Sequence, residues 1–289
     1  MLHDENKVLF HGQHENVTYG KIVSAMKEIG ADQCDVLFVH SEISFGMLEK
    51  GIRRNEIKEL LLDAIKELNV KTLIFPTFTF SFCNQQVYDR EKSPTAMGML
   101  PEYVRKRPDA VRSDDPILSV AVLGEQEGFD KMVGSSSCGK GGIFHILHQT
   151  DKKVKFMFFG TSPLMCFTYL HYVEECFKVP YRYSRKFKGT IIEDGIKKEK
   201  EIDLYVRYKG VTATLPPNFM QELVQRDIVE VTNVGDSQIS VADEKLSYEY
   251  ISKMLKENPY ICAIMPEGET LTEEYIYCLL YTSPSPRDA

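Results

Sequence analysis

The sequence predicts an α/β fold: a three-layer αβα single domain with a mixed central sheet and antiparallel strands in the C-terminal half. Three observations predict it. Short, wholly apolar runs alternate with amphipathic stretches through the first 180 residues, the texture of buried strands and surface helices. Beyond residue 180 polar and apolar residues alternate one by one, as in antiparallel strands with one solvated face. No Ser/Gly-rich linker and no repeat interrupts the 289 residues. That length admits one large domain or two small ones, and the lack of a linker favours one.

The elements follow in order. Residues 18–30 predict a helix, with Gly30 suited to the position just past its end. Val36–Val39 is a buried strand. Residues 55–68 carry an apolar helical stripe, with Asn55 as the expected N-cap. Thr72–Phe75 is a second buried strand, stopped by Pro76. Ser119–Leu123 and Val154–Phe159 repeat the theme, each followed by glycine. Helical segments are expected near 97–107 and 166–178. Two antiparallel strands follow Val179, and further helices are predicted over 217–227 and 246–257.

Composition narrows the function classes. Hydrophobic residues make up 43% and charged residues 27%, ordinary globular usage that argues against a disordered, collagenous or coiled-coil chain. No stretch approaches the roughly 20 apolar residues of a membrane span. The polar N-terminus lacks the apolar core of an export signal, so a cytoplasmic location is expected. The net charge of −7 and the absence of a basic block argue against nucleic-acid or membrane partners. Residues Cys278–Asp288 read as the translation of a transposon-type sequencing adapter. The domain is therefore expected over 1–277, with 278–289 a non-native tail. Six cysteines remain, at positions 34, 83, 138, 166, 176 and 262. None has a metal-ligand spacing, so reduced thiols and no metal are expected. His145 and His148 lack a partner carboxylate in any recognisable motif and read as surface or boundary residues.

Four segments place small or polar residues directly after buried strands or on one helix face: Val39–Gly46, Phe75–Phe80, Arg112–Val120 and Phe167–Glu175. Carboxyl ends of strands are where open α/β sheets bind ligands. In the last segment His171 and Glu174 are three apart and share a helix face, with Thr168 one turn earlier. A carboxylate on one ring nitrogen fixes the tautomer and raises the basicity of the other, as a general base requires. The same pair also fits an ordinary exposed helix face, and Glu175 is a rival partner. Ser41, Ser44 and Gly46 could hold a phosphate or simply form a turn, and Arg112 could serve a phosphate or bridge to a carboxylate.

Taken in order, Val39–Gly46, Thr72–Thr79, Ser93–Glu102, the Arg-Ser-Asp-Asp-Pro run at 112–116 with Ser119, and the Thr-x-x-His-x-x-Glu signature at 168–174 resemble the antibiotic N-acetyltransferase family. Its best-known members are the aminoglycoside 3-N-acetyltransferases. The resemblance spans about Thr18 to Gly189. It implies acetyl transfer from acetyl-coenzyme A to an amine, directly and with no covalent enzyme intermediate, so Cys166 and Cys176 need not be nucleophiles. It makes His171 the general base and Glu174 its orienting partner. Val39, His40, Ser41, Ser44, Thr77, Arg112 and Ser113 fall near the coenzyme, and Asp89, Glu102, Asp115 and Thr168 near the acceptor. A hydroxyl or backbone N–H near Thr77 or Ser113 is the expected oxyanion donor. Antibiotic-modifying members commonly carry His where this chain has Asp115. The Tyr- and cation-rich run 179–189 would suit an anionic acceptor such as a nucleotide-linked amino sugar. The main expectation is thus an amino-sugar N-acetyltransferase. The alternatives are an aminoglycoside resistance enzyme and a non-catalytic coenzyme A-binding relative. The expected partner is a small-molecule amine, with a homodimer left open.

Overall fold

A computed structural model describes residues 2–268 and 270–275. The expected tail at 278–289 lies outside the described residues. In chain order the elements are β1 (Val8–His11), β2 (Asn16–Thr18), α1 (Tyr19–Glu28), β3 (Val36–Ser41), β4 (Met47–Leu48), α2 (Arg54–Lys66) and β5 (Thr72–Pro76). Then come β6 (Tyr88–Asp89), α3 (Met99–Val104), β7 (Ala110–Arg112), β8 (Val120–Gly124), α4 (Ile143–Gln149), β9 (Val154–Phe159), α5 (Pro163–Cys166) and α6 (Tyr169–Phe177). The chain continues through β10 (Arg182–Glu193), β11 (Ile196–Arg207), β12 (Thr212–Ala213), α7 (Phe219–Gln225), β13 (Val229–Val234), β14 (Ser237–Asp243), α8 (Glu244–Glu257) and β15 (Ala263–Ile264).

The central sheet has seven strands in the order β13-β14-β9-β3-β5-β8-β7. β3 runs parallel to both β5 and β9, whereas β5–β8, β7–β8, β9–β14 and β13–β14 are antiparallel. The sheet is therefore mixed, as expected. Strand parity divides its core in two. Val36, Phe38, Phe156 and Phe158 pack on one face with Tyr169, Val173, Ile251 and Phe219 of α6, α8 and α7. Leu37, Val39, Met157 and Phe159 pack on the other with Ile22, Leu60 and Leu100 of α1, α2 and α3. Those faces make the three layers.

Local signals act where they were expected, with one exception. Gly30 follows α1 with a φ of 69°. Thr18 caps α1, its side chain accepting from the Lys21 amide at 3.2 Å. Asn55 does not cap α2: the N-cap is Arg53, without a side-chain bond, and the Asn55 side chain instead accepts from Lys58 Nζ at 3.0 Å. The strands after Val179 do pair antiparallel, over twelve registered residue pairs. They stand outside the central sheet, as a ribbon extended by β6. This ribbon packs against the α6 face of the sheet, with Phe187, Ile202 and Leu204 in the same core. It thereby forms a wall opposite the helix that carries His171. No described helix is long and apolar enough to cross a membrane.

Candidate active site

The turn that leads into α6 begins at Gly160. Its φ is 72°, and a Cβ there would lie 1.9 Å from the Glu42 carbonyl oxygen, so only glycine fits. The short α5 follows. Thr168 then starts α6 and brings its hydroxyl to 3.3 Å from His40 Nε2 on β3. One turn on, His171 Nδ1 lies 2.8 Å from Glu174 Oε2. The spacing of three thus produces the pair that it predicts. Glu175 is engaged elsewhere: Ser136 Oγ lies 2.9 and 3.0 Å from its two oxygens.

Glu174 is 1% exposed and heavily solvated by protein. The Tyr181 hydroxyl donates to Oε1 at 2.6 Å, and Arg182 Nε lies 2.9 Å from Oε2. Burial opposes its charge, but the Arg182 guanidinium, His171 and Tyr181 prevail and hold the carboxyl down to about 2. Glu174 is therefore a carboxylate at neutral pH. Burial and the neighbouring Arg182 pull His171 below the ordinary imidazole value, while Glu174 pulls the other way. The ring is consequently neutral at pH 7. With the proton on Nδ1 and donated to Glu174, the Nε2 lone pair would be available.

His171 sits in the wall of a narrow, largely apolar cleft of about 60 Å³. Phe78, Phe80 and Leu118 line it from the sheet side, and Leu204, Tyr205 and Arg207 from the ribbon. Among the described residues lining it there is no carboxylate, while Arg182 and Arg207 both do. Across the α5 turn lies a second, open and polar cleft of about 580 Å³, bordered by Glu42, Ser44, Gly160, Ser162, Asp236 and Ser237.

The structure separates the other expected site residues. Of the strand-end trio, His40 faces the His171 side, stacked on Phe158 with ring centroids 5.4 Å apart. Burial pushes it down to about 3, so it is neutral. Val39 points the other way, fully buried in the opposite core, because neighbouring strand residues alternate faces. Its side chain is therefore out of reach of any ligand. Ser41 Oγ is buried without a hydrogen-bond partner. Ser44 Oγ donates to the Gly160 carbonyl at 2.6 Å and touches Ser237 Oγ at 3.0 Å, tying the loop together at the rim of the open cleft.

Thr77, Arg112 and Ser113 form an internal network. Arg112 is 5% exposed. It donates to the Thr77 carbonyl at 2.8 Å, the Ser93 carbonyl at 2.5 Å and the Arg90 carbonyl at 3.4 Å. Its guanidinium lies over the Tyr88 ring. Among the described residues no carboxylate bridges to it: the buried cation is solvated by backbone carbonyls. The Thr77 hydroxyl lies 3.2 Å from Ser119 Oγ, and Ser113 Oγ accepts from the Val120 amide at 2.9 Å. Neither lines the cleft with His171, so an oxyanion donor there is not what these hydroxyls provide in the free protein.

Of the expected acceptor residues, Thr168 alone lines that cleft. Asp89 Oδ1 accepts from the Glu91 and Lys92 amides. Glu102 binds Arg105 through both oxygens, and Arg105 and Lys106 outweigh burial to hold it down to about 2. Asp115 Oδ1 accepts from the Ile117 and Leu118 amides at 2.8 and 3.1 Å and from Ser137 Oγ at 2.8 Å. All three carboxylates thus shape loops rather than face the cleft. Asp115 does so at its edge, since Leu118 is a lining residue. The sequence reading missed Tyr181, Arg182 and Arg207. The only signal for Tyr181 and Arg182 was the cationic, Tyr-rich run 179–189, which does not reveal which side chains turn inward, and Arg207 lies outside it. His148, read as a boundary residue, is 2.7 Å from the buried Glu244.

The family model for aminoglycoside 3-N-acetyltransferase (Antibiotic_NAT) matches residues 38–256. The solved structure of AAC-IIIb in a binary complex with CoASH superposes with a TM-score of 0.68 at 17% identity, covering 83% of this chain and 96% of that one. YokD from Bacillus subtilis superposes at 0.67 with 16% identity, covering 88% and 96%. AAC-VIa bound to sisomicin superposes at 0.66 with 16% identity, covering 83% and 97%. At such identities the likeness is one of fold. No curated protein sequence matches the chain.

Proposed function

Because the chain belongs to the aminoglycoside 3-N-acetyltransferase family, we propose that it transfers an acetyl group from acetyl-coenzyme A to an amine of an aminoglycoside or a related amino sugar. The observation that carries this reading is the cleft-facing His171, with Nδ1 2.8 Å from a carboxylate that is itself buried and charged. An alkylammonium must lose a proton before it attacks a thioester. His171 Nε2 accepts that proton while Glu174 steadies Nδ1. The neutral amine nitrogen bonds to the acyl carbon, the carbon–sulfur bond breaks as the proton held at Nε2 passes to the departing thiolate, and the surplus proton on the nitrogen then moves to the freed Nε2 and on to solvent. The products are the amide and the free thiol.

Ser41 supports a coenzyme position at the strand ends. A buried hydroxyl without a partner costs about 1–3 kcal/mol, which a ligand contact would recover. The open cleft at Ser44 is the proposed entry. In this reading His40 and Thr168 join the two clefts, and Thr77, Arg112 and Ser113 act as the wall behind them. A second reading narrows the acceptor to an amino sugar that also bears an anionic group. It is favoured by the arginines and the lack of carboxylates among the described residues lining the His171 cleft, where a polycation would need the reverse.

The test is thiol release from acetyl-coenzyme A with a panel of aminoglycosides and nucleotide-linked amino sugars. Turnover is expected with at least one amine, and His171→Ala should lower kcat/KM about 10²- to 10⁴-fold. Undiminished turnover in that variant would remove His171 as the base. Drug tolerance of a sensitive host expressing the protein separates the two acceptor readings.

A further inference from the structure

Arg182 lies at the start of β10, and its side chain is 6% exposed. All of its nitrogens point at the dyad or its support. Nε is 2.9 Å from Glu174 Oε2, Nη1 donates to the Tyr205 carbonyl at 3.0 Å, and Nη2 is 3.0 Å from His171 Nδ1. A guanidinium has donors only and keeps its charge. The Nδ1 edge of His171 therefore meets two incompatible neighbours. If Nδ1 carries the proton, it donates to Glu174, and Arg182 stands beside it as a cation that cannot accept from it. If Nδ1 carries the lone pair, it accepts from Arg182 and the proton moves to Nε2, where the ring cannot act as a base.

We propose that Arg182 is a positioning residue of the acyl-transfer site: it locks the Glu174 carboxylate in place and holds a fixed cation against the Nδ1 edge of His171, so that the ring rests neutral and sheds a captured proton readily. The inference rests on His171 being the base. Geometry favours the first tautomer. The Glu174 oxygen is the nearer partner of Nδ1, at 2.8 Å against 3.0 Å for Arg182 Nη2, and a hydrogen bond to a charged carboxylate is the stronger one. A proton captured at Nε2 would then create an imidazolium 3.0 Å from a guanidinium, and that repulsion drives its release to the leaving group.

Among the described residues, the ionisable and charged groups around the ring include Tyr275, which borders its cleft. Glu174 lies on its own helix, Tyr181 and Arg182 come from the start of the ribbon, and Tyr205 and Arg207 come from β11. Cys138 borders the same cleft from the loop before α4. Burial pushes that thiol well above its ordinary value, so it adds no charge. Arg207 is the second cation acting on the ring, but Arg182 is the one in contact with it.

The test is nitrogen-15 imidazole NMR on the full-length protein without substrate, with His171 signals identified by their loss in His171→Gln. Wild-type His171 should show a protonated Nδ1, an unprotonated Nε2 and a titration below that of an ordinary histidine. Arg182→Gln should move that titration to higher pH. It should also cost roughly tenfold in kcat/KM on the acid side, a loss that narrows toward the alkaline plateau. Arg182→Lys keeps the charge, so it should keep the low titration while kcat falls at every pH. A wild-type ring protonated at Nε2, or one titrating at or above the ordinary value, overturns the proposal even if neither variant folds. An unchanged titration in Arg182→Gln overturns it as well. The NMR readout needs no acceptor. Full turnover in His171→Ala would sink the catalytic reading without altering the titration, so the two failures are distinguishable.

Discussion

His40 Nε2 and Thr168 Oγ1 meet at 3.3 Å across 128 residues of chain. This contact joins the carboxyl end of the central strand to the first turn of the helix bearing His171. It fixes where that helix begins relative to the sheet, and so where the imidazole one turn later can sit.

The His40 ring is buried and pushed down to about 3, whereas an unfolded histidine titrates near 6.5. Below pH 6.5 the unfolded chain therefore binds a proton that the folded one refuses. The stability contribution is complete above about pH 6.5 and is lost as pH falls toward 3, by an amount of order 4 kcal/mol. His40→Phe keeps the stacking on Phe158 and removes the titration. Urea unfolding from pH 7 to 4 should show a flatter pH dependence in the variant than in the wild type. Parallel curves would show that His40 is not the titrating group.

Glu174 has the same sign of shift for the opposite reason: its charged form is the one favoured. Its carboxyl, held down to about 2 from an ordinary value near 4.5, contributes stability above pH 4.5 that disappears as pH falls toward 2. Glu174→Gln should cost about 2–4 kcal/mol at pH 7, because it leaves Arg182 buried without its counter-charge. The gap from wild type should close as the pH is lowered. Activity should fall about 10- to 100-fold in the variant. Thermal and urea unfolding with thiol-release kinetics check both expectations.

Arg112 holds three backbone carbonyls in a buried pocket. Lysine cannot reproduce that planar fork, so Arg112→Lys should lose about 2–3 kcal/mol of stability. KM for acetyl-coenzyme A in the folded fraction should change by less than about threefold. A large rise in KM with an unchanged Tm would instead identify direct contact with the coenzyme.

Asp115 Oδ1 accepts three hydrogen bonds, but Oδ2 is buried without a partner. Burial raises its pKa despite those bonds. Its folded form thus favours the proton, and its stabilising effect is greatest at low pH and declines as pH rises. Asp115→Asn keeps the accepting oxygen without the charge. The variant should be at least as stable as wild type at pH 7. Asp115→Ala, which strands two amides and Ser137, should lose about 2–3 kcal/mol. Equal loss in both variants would show that the carboxylate charge itself is required.

Much of the architecture is local and hence legible in the residues. Val36–Val39, Thr72–Phe75 and Val154–Phe159 are strands because unbroken apolar runs need burial on both faces. The His171/Glu174 pair follows from helix geometry alone. The resemblance resolved segments but not side chains. Val39 and His40 stood together in one candidate run, yet strand parity sends them to opposite cores. The expected N-cap at Asn55 failed because α2 begins at Arg54, so Asn55 already lies within its first turn, and the N-cap Arg53 contributes no side-chain bond.

By itself the sequence determined the layered α/β class, the helix that bears the dyad and the spacing that lets imidazole meet carboxylate, because these depend on residues within a turn or a strand of one another. Tertiary structure alone decided the electrostatics of that dyad. It brought Arg182 from the ribbon against Glu174 and His171, seated His148 on Glu244 and turned Arg112 toward backbone carbonyls. Charge and desolvation act through space, and the distance along the chain carries no record of which side chains packing will bring together.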